Sequence, residues 1–214
     1  MVIAIDGPAG SGKGTITKLI AEKLGIVNID TGAMYRCVAL QALKDDVVND
    51  TDKVIGISKS INISFDSLGK TYLNNEDVSS EIRSIEVTNV VSQISTIVEV
   101  REEMVKQQRN LARGRSVIME GRDITTVVFP NADYKFYLDA SVDERVKRRV
   151  KQNKENGIES DYEDIKKSIE TRDYNDMHKK VGALMRTPDQ IYVDSTNMTI
   201  DEVVEFIISK VGEV

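Results

Sequence analysis

The chain has 214 residues, enough for one α/β domain with insertions, and 35 acidic against 29 basic residues give it a net charge of −6. This balance argues against a broad surface for nucleic acid or for a membrane. One cysteine, Cys37, excludes an internal disulfide, and one histidine, His178, excludes a zinc site built from cysteine and histidine. The N-terminal apolar run is too short for a signal peptide or a membrane span. We therefore expect a soluble cytoplasmic enzyme, with Cys37 in its core.

A glycine-rich segment at residues 7–15 follows a short apolar strand and leads into an amphipathic helix. This order is typical of a phosphate-binding loop, because glycines let successive N–H groups point at an anion and the helix dipole adds positive potential. Lys13 stands where its ammonium can reach the β- and γ-phosphates of a nucleotide. The sequence therefore predicts a nucleoside triphosphate site. Its contacts are expected from Gly7, Gly10, Ser11, Gly12, Lys13, Gly14 and Thr15.

Gly14 occupies the position after the lysine, where such loops usually carry a serine or threonine that binds Mg²⁺. A direct hydroxyl ligand is therefore missing at that position. We expect Mg²⁺ to be held by phosphates and water, with no direct protein ligand, which suits a cation that keeps several waters.

Two further predicted strands end in polar residues. Residues 26–29 lead to Asp30 and Thr31 and a helix that carries Arg36, and residues 116–119 lead to a charged run that includes Arg122 and Asp123. Open parallel sheets bind ligands at the carboxyl ends of their strands, so these side chains are predicted to meet in one crevice. For Thr31 and Arg36 alone, a helix cap and a solvated arginine explain the pattern equally well.

The segment at residues 62–97 breaks the β-α-β alternation. Ile61, Ile63 and Phe65 alternate with polar residues before a turn at residues 67–70, which predicts a β-hairpin, and residues 87–97 are expected to be helical. We interpret the segment as an inserted small domain between two core helices. It is either a surface decoration or a part that closes on a second substrate. A long helix follows at residues 98–113.

Charged helices dominate the C-terminal third. Capping boxes are predicted at residues 141–144, 160–163 and 199–202, and a break is predicted at Asn156 and Gly157. The first of these helices carries five cations, which form either a solvated face or a clamp for a triphosphate. The two helices on either side of the break are predicted to form a mobile lid.

Several stretches together resemble the bacterial cytidylate kinases, a branch of the nucleoside monophosphate kinases. The resemblance covers almost the whole chain. Its two most specific parts are Asp-Thr-Gly-Ala-Met-Tyr-Arg at residues 30–36 and Gly-Arg-Asp with Thr-Val-Val-Phe-Pro at residues 121–130, which separate this family from adenylate, thymidylate and shikimate kinases. The matching stretches are residues 6–13, 30–36, 75–78 with 81–83, 121–123 with 126–130, and 172–173 with 176.

The resemblance implies a P-loop three-layer α/β/α fold on a five-stranded parallel sheet. One core domain over residues 1–214 would carry an inserted NMP-binding subdomain at residues 62–97 and a lid at residues 150–185. It also implies a monomer that uses ATP and Mg²⁺ to convert CMP and dCMP to CDP and dCDP by direct in-line transfer, with no nucleic acid or membrane partner.

Site residues follow from the same resemblance. The residues expected to act on the transferred group are Lys13, Arg122, Arg149 and Arg172. ATP would also be held by Arg145 and Arg149. The residues expected to bind CMP are Thr31, Arg36, Ser92, Arg101, Arg122, Asp123, Asp176 and Lys179, of which Ser92, Arg101 and Asp123 would read the cytosine and Asp176 would contact the sugar.

Three positions depart from the family pattern. Lys179 replaces a lid arginine and keeps the charge without the bidentate fork. Ala183 replaces a proline, which would loosen the exit of the lid, and Thr125 stands where glycine usually follows the Gly-Arg-Asp-Ile run. These departures bear on the efficiency of the lid and on the handling of dCMP.

Two alternatives remain open from the residues. One is a P-loop kinase for another small anion such as UMP. The other is a nucleotide sensor whose lid no longer supports transfer, motivated by Lys179 and Ala183. A GTPase is disfavoured, because no Asn-Lys-x-Asp motif follows a strand.

Overall fold

The computed structural model describes residues 1–66, 69–155 and 157–212. The strands in these ranges are β1 (Val2–Asp6), β2 (Val27–Asp30), β3 (Ile63–Phe65), β4 (Thr71–Leu73), β5 (Glu76–Asp77), β6 (Val117–Gly121), β7 (Tyr134–Asp139) and β8 (Ile191–Asp194). The α-helices are α1 (Lys13–Leu24), α2 (Thr31–Lys44), α3 (Thr51–Ser60), α4 (Ile85–Ile94), α5 (Val98–Ala112), α6 (Val142–Glu155), α7 (Tyr162–Met177) and α8 (Ile200–Val211). A 3₁₀-helix at Glu81–Arg83 and a π-helical turn at Ile124–Val128 complete the regular structure of these ranges.

Five parallel strands form the main sheet in the order β2-β6-β1-β7-β8, which confirms the predicted sheet. The strand that leads to the phosphate loop, β1, lies in the centre, with β6 on one side and β7 on the other. Asp6 at the end of β1 pairs with Gly121 at the end of β6, and Asp30 at the end of β2 pairs with Glu120. The loops after β1, β2 and β6 therefore leave the sheet at one shared edge.

Alternation along the strands produces one apolar core on each face of the sheet. On one face, Ile3, Ile5 and Phe136 pack with apolar residues of α1 and α8. On the other face, Ala4 and Met119 pack with residues of α2, α4 and α5. Helices on both faces give the predicted three-layer α/β/α fold, and Cys37 is fully buried in α2 as expected.

The inserted segment contains a small antiparallel sheet in the order β3-β4-β5. The predicted hairpin is confirmed by the register of β3 on β4, in which Ile63 pairs with Leu73 and Phe65 with Thr71. Of its predicted turn, Ser67 and Leu68 lie outside the described residues. The sequence prediction did not include α3 or β5.

Helix ends differ from the predictions at several points. The helix predicted to reach residue 97 ends at Ile94, because the Ser95 and Thr96 hydroxyls donate to carbonyls of the last turn and a new helix begins at Val98. At the start of α7 the capping residue is Asp161 rather than Ser160, since the Asp161 carboxylate accepts from two backbone N–H groups.

The other two predicted caps lie before α6 and α8. Ser141 caps α6 through the N–H of Glu144, whose carboxylate accepts from Arg148 instead of closing the box. The box from Thr199 to Glu202 is complete. The predicted break after α6 falls partly on Asn156, which lies outside the described residues. Across the described part of the chain, no helix is long and apolar enough to cross a membrane.

Candidate active site

The loop after β1 has the backbone of a phosphate-binding loop. It passes so close to β7 that a side-chain carbon at Gly7 would overlap the carbonyl oxygen of Leu138. Gly10 and Gly12 have φ of 81° and 94°, in the left-handed region that glycine adopts at little cost. Helix α1 begins at Lys13, so its positive end lies at the loop. The glycine spacing therefore shapes an anion site, as the sequence predicts.

Lys13 is buried inside this loop. Its Nζ donates to the carbonyl oxygen of Pro8 at 2.8 Å and lies 3.4 Å from the Ser11 hydroxyl oxygen. Burial and repulsion from Arg122 lower the pKa of Lys13 to about 7, against the attraction of Glu120. The attraction of Glu120 therefore offsets only part of the effect of burial and of Arg122 on the ammonium.

Glu120 lies at the end of β6 and faces the loop. A side-chain carbon at Gly14 would lie 2.9 Å from Glu120 Oε1, so this carboxylate would have to shift to make room for a serine or threonine. Burial and the nearby Asp30 raise the pKa of Glu120 to about 7. No role was predicted for Glu120, although its place at a strand end, directly before the Gly-Arg-Asp run, was the available signal.

Four guanidinium groups lie close enough to repel one another at the shared edge of the sheet: Arg36, Arg122, Arg149 and Arg172. Desolvation and repulsion from Arg122 lower the pKa of Arg172 to about 10, with further repulsion from Arg36 and Arg149. Within the described residues, Arg149 and Arg172 make no hydrogen bond and no ion pair. Such a cluster favours a multiply charged anion.

Asp176 of α7, in the segment predicted to form the lid, lies against this cluster. Arg122 Nε donates to Asp176 Oδ2 at 2.7 Å, and Lys179 Nζ lies 3.0 Å from Asp176 Oδ1. Burial opposes ionisation of this carboxyl group, but Arg122 and Lys179 lower its pKa to about 2. The predicted lid residues and the predicted acceptor residues are therefore brought together.

A second buried pair, Arg101 and Asp123, joins α5 to the turn after β6 through Arg101 Nη2 and Asp123 Oδ2. Burial raises the pKa of Asp123 despite the attraction of Arg101. The backbone of Gly182 lies directly over the pair, because a side-chain carbon there would overlap both Arg101 Nη2 and Asp123 Oδ2. The end of the lid thus covers the groups expected to read a base.

The structure does not bring Ser92 to this pair. Ser92 is exposed on α4 and lines a cavity of about 540 Å³ between α4 and the end of α7, together with Lys179. Ser95, one turn later, accepts from Arg101 Nη1 through its carbonyl oxygen at 3.3 Å and from Lys179 through its hydroxyl at 3.5 Å. The cytosine-reading role of Ser92 stays a prediction.

Thr31 and Arg36 lie at the same edge with specific partners. Thr31 Oγ1 donates to the carbonyl oxygen of Glu120 at 2.7 Å, while the cap of α2 is Asp30. Arg36 Nη1 donates to the carbonyl oxygen of Ile82 and to Thr88 Oγ1, both at 2.9 Å. Thr31 is therefore not the cap and Arg36 is not merely solvated, while their contact with a ligand in the crevice stays a prediction.

Two cations of helix α6, Arg145 and Arg148, contact the backbone of the phosphate loop. Arg145 is buried, donates to the carbonyl oxygens of Ala140 and Ala9, and forms an ion pair with Asp173 of the lid helix at 2.6 Å. Arg148, to which the sequence analysis gave no role, donates to the carbonyl oxygen of Ser11 at 3.2 Å. These two side chains hold the phosphate loop from outside.

The remaining cations of α6 differ in exposure. Lys147 and Lys151 are exposed, as in a solvated face, whereas Arg149 belongs to the guanidinium cluster. The predicted contact of Arg145 with ATP stays a prediction, because its guanidinium is occupied by backbone oxygens and Asp173.

Comparison with known proteins identifies related sequences. A sequence profile of the cytidylate kinase family matches residues 3–213. A cytidylate kinase of Streptococcus agalactiae serotype V is 47% identical over 99% of this chain and 96% of the relative. One of Leuconostoc mesenteroides is 47% identical over 94% of this chain and 92% of the relative.

Among solved structures, two similar folds come from distant sequences. An uncharacterized protein from Eubacterium ventriosum aligns with a TM-score of 0.54 at 14% identity, covering 100% of this chain and 99% of the other. TT1252 from Thermus thermophilus aligns with a TM-score of 0.50 at 14% identity, covering 100% of this chain and 98% of the other. At this identity the likeness concerns the fold alone.

Proposed function

The chain belongs to the cytidylate kinase family, and from this membership and the geometry of the cleft we propose that it transfers the γ-phosphoryl group of ATP to CMP and dCMP. The products are CDP and dCDP. The observation that carries the proposal is the convergence of five cations, in which Lys13 is repelled by Arg122 and Arg172, and Arg172 is repelled by Arg36, Arg122 and Arg149. Two phosphate-bearing substrates supply the negative charge that this arrangement favours.

ATP is proposed to bind with its β- and γ-phosphates in the loop of residues 7–15. Backbone N–H groups and the start of α1 face the phosphates, and Lys13 contacts the transferred group. Arg149 and Arg172 neutralise charge that spreads over the transferred oxygens in the transition state. Arg145 and Arg148 act on ATP through the loop backbone that they hold.

Mg²⁺ is proposed to accompany ATP. Within the described residues no group of three metal-binding side chains lies together, and Gly14 offers no hydroxyl. Phosphates and water would therefore supply most of its ligands, with Glu120 as the carboxylate that faces the loop. When bound, the ion neutralises charge on the β- and γ-phosphates.

CMP is proposed to bind with its phosphate among Thr31, Arg36 and Arg122 and with its sugar near Asp176. A phosphate oxygen of CMP is already an anion, so no general base is needed, and the chemistry consists of bringing two anions into line. The ion pair between Arg122 and Asp176 keeps the guanidinium oriented.

Arg101 and Asp123 are proposed to read the cytosine. Cytosine has an exocyclic amine that donates to a carboxylate and two acceptors, N3 and O2, that suit a guanidinium. Uracil presents a carbonyl oxygen in place of the amine, which would leave the Asp123 carboxylate without a donor and face it with a second acceptor. Sites built on buried hydrogen bonds reject such analogues strongly.

The inserted segment and the charged helices are proposed to act as substrate-closing parts, with residues 62–97 as the NMP-binding subdomain and residues 150–185 as the lid. Contacts of Asp173 and Asp176 with Arg145 and Arg122 support the lid assignment. The enzyme is proposed to act as a monomer.

A coupled ADP-release assay with ATP and CMP, dCMP, UMP or AMP tests the proposal. We expect fast turnover with CMP and dCMP and slow turnover with UMP and AMP. Fast turnover of UMP would contradict the proposed selectivity for cytosine and would make UMP an acceptor. Silence with every acceptor, together with measurable ATP binding, would replace the kinase by a nucleotide sensor.

A further inference from the structure

The carboxylate of Asp6 fixes the turn that follows Arg122 and Asp123, two residues proposed to bind CMP. Asp6 is fully buried at the end of β1, directly before the phosphate loop. Its Oδ1 accepts from the N–H of Ile124 at 2.8 Å, and its Oδ2 accepts from the N–H and the hydroxyl of Thr125 at 2.9 and 2.6 Å. This carboxylate therefore joins the start of the phosphate loop to the π-helical turn that follows Arg122 and Asp123.

The hydroxyl of Thr125 extends this connection to the exit of the lid. Thr125 Oγ1 accepts from Gln190 Nε2 at 2.5 Å, and both residues are buried. Gln190 Oε1 in turn accepts from the N–H of Thr187 at 2.7 Å, so the same side chain shapes the turn at residues 185–190. That turn lies between the lid and β8.

The segments joined in this way border the acceptor site from two sides. Arg122 and Asp123 precede Thr125 in the chain, while Asp176 and Gly182 precede Gln190 and lie against Arg122 and Asp123 from the lid side. A displacement of one segment relative to the other would therefore change the distances between the groups that are proposed to hold CMP.

We propose that the hydrogen bond between Thr125 and Gln190 positions Arg122 and Asp123 relative to the lid and thereby sets the efficiency with which CMP is used. Thr125 and Gln190 are positioning residues, since their polar groups are occupied by each other, by Asp6 and by the turn. The inference rests on the proposed transfer to CMP.

Burial gives this bond its importance. Without Thr125 Oγ1, the buried amide nitrogen of Gln190 would keep only the carbonyl oxygen of Met185, at 3.4 Å. A buried polar group that loses its partner is costly, so the bond restrains the segment after the lid against the turn that follows Arg122 and Asp123.

The test uses four variants of the full chain. Thr125→Val keeps the shape of the side chain and removes the hydroxyl, Thr125→Ser keeps the hydroxyl, and Gln190→Leu removes the amide. The fourth variant combines Thr125→Val with Gln190→Leu. Gln108→Leu is the matched control, because Gln108 is a buried amide outside the network whose Oε1 has no partner among the described residues.

The readouts are kcat, the KM for CMP, the KM for ATP and the shift of the melting temperature on adding CMP. We expect Thr125→Val and Gln190→Leu each to raise the KM for CMP by about tenfold, with the KM for ATP changed by less than about twofold. The double variant is expected to lose less than the sum of the two single variants, because both remove the bond between Thr125 and Gln190, although each also removes a bond of its own, to Asp6 or to Thr187. Thr125→Ser and Gln108→Leu are expected to behave like the unmodified chain.

Each of three results would overturn the inference while the unmodified chain turns over CMP. The first is additive effects of the two single substitutions in the double variant. The second is an equal change in both KM values, and the third is an unchanged melting shift with CMP in both single variants; either of these would assign the bond to stability alone. Failure of the unmodified chain to use CMP would instead contradict the proposed function, so the two failures are distinguishable.

Discussion

At the scale of single residues, the charge on Lys13 depends on what lies beside it. The ammonium is buried with Arg122 nearby, and together these lower its pKa to about 7. A triphosphate in the loop would place several negative charges beside the ammonium and raise its pKa again. Protonation of Lys13 and nucleotide binding are therefore linked, and each favours the other.

This linkage predicts that ATP binding takes up protons at about pH 8. The free lysine, with a pKa of about 7, is about 90% neutral there, whereas the bound lysine is protonated, so uptake approaches about 0.9 proton per ATP. Affinity for ATP consequently falls as the pH rises above 7. Calorimetric titration in two buffers of different ionisation enthalpy measures the uptake.

Lys13→Arg is the control for this measurement. Its guanidinium stays protonated throughout the range, so binding to the variant should take up no proton through this position. Identical enthalpies in the two buffers for the unmodified chain would contradict the lowered pKa of Lys13.

The residues that could be predicted from sequence are those placed by local rules. Arg122 and Asp123 follow a strand end, and Lys13 has a fixed place in a glycine loop, so their neighbourhood follows from the topology of a parallel sheet. The contacts of Thr125 with Gln190 and of Arg148 with Ser11 span 65 and 137 residues along the chain. No local pattern encodes them, because they depend on how distant segments pack.

At the scale of secondary-structure elements, the position of the segment after α7, proposed as the end of the lid, depends on one glycine. Gly182 has φ of 66° and lies against the Arg101–Asp123 pair, where a side-chain carbon would overlap both partners. Gly157, at the other end of α7, has φ of 71° with no neighbouring atom within 4 Å of such a carbon. The two glycines share the same backbone strain and differ in their surroundings.

Gly182→Ala is therefore expected to move the end of the proposed lid away from Arg101 and Asp123, the pair proposed to read the base. We expect kcat/KM for CMP to fall by about tenfold or more and trypsin to cleave faster after Lys179 and Lys180. Gly157→Ala should cost about 1 kcal/mol of stability from the left-handed backbone alone and leave both readouts nearly unchanged.

Steady-state kinetics and limited proteolysis of the two variants, at a temperature where both are folded, compare the effects. Equal losses in the two variants would show that backbone strain, rather than the contact with Arg101 and Asp123, explains the effect.

Elements with a strong period or cap were predictable, and short ones were not. Strands β1 and β6 lie in the interior of the sheet, as their continuous apolar runs indicate. The two-residue strand β5 exists only because β4 offers an edge, with Leu73 paired to Glu76. Asp161 caps α7 in place of Ser160 because its carboxylate reaches two N–H groups at once.

At the scale of the whole molecule, an acidic chain concentrates cations at one edge of its sheet. Arg145 and Arg172 differ in whether the folded protein compensates their charge. Arg145 is compensated by Asp173 and by two backbone oxygens, so its charge is part of the folded structure. Arg172 has no hydrogen bond or ion pair within the described ranges, and its pKa is lowered to about 10 by desolvation and by Arg122. Asp176 attracts this guanidinium, but burial and the other arginines outweigh that attraction, so we expect its charge to oppose folding and to favour a bound phosphate.

Substituting these two arginines by methionine is therefore expected to shift stability in opposite directions. Arg172→Met removes a repelled charge and should raise the stability of the ligand-free protein by about 1 kcal/mol, which is about 3 °C in Tm for a chain of this size. Arg145→Met leaves Asp173 uncompensated and should cost about 3 kcal/mol. Unfolding scans with and without ATP measure both effects.

The response to ligand separates the two roles further. Saturating ATP at about 100 times its Kd adds about 2.7 kcal/mol to a protein that binds it only when folded. Arg172→Met should show a smaller shift than the unmodified chain at the same ATP concentration, because the triphosphate loses a cation. A lowered Tm for Arg172→Met without ligand would mean that the Arg172 charge is compensated in the folded state, and the guanidinium cluster would then not be organised for binding anions.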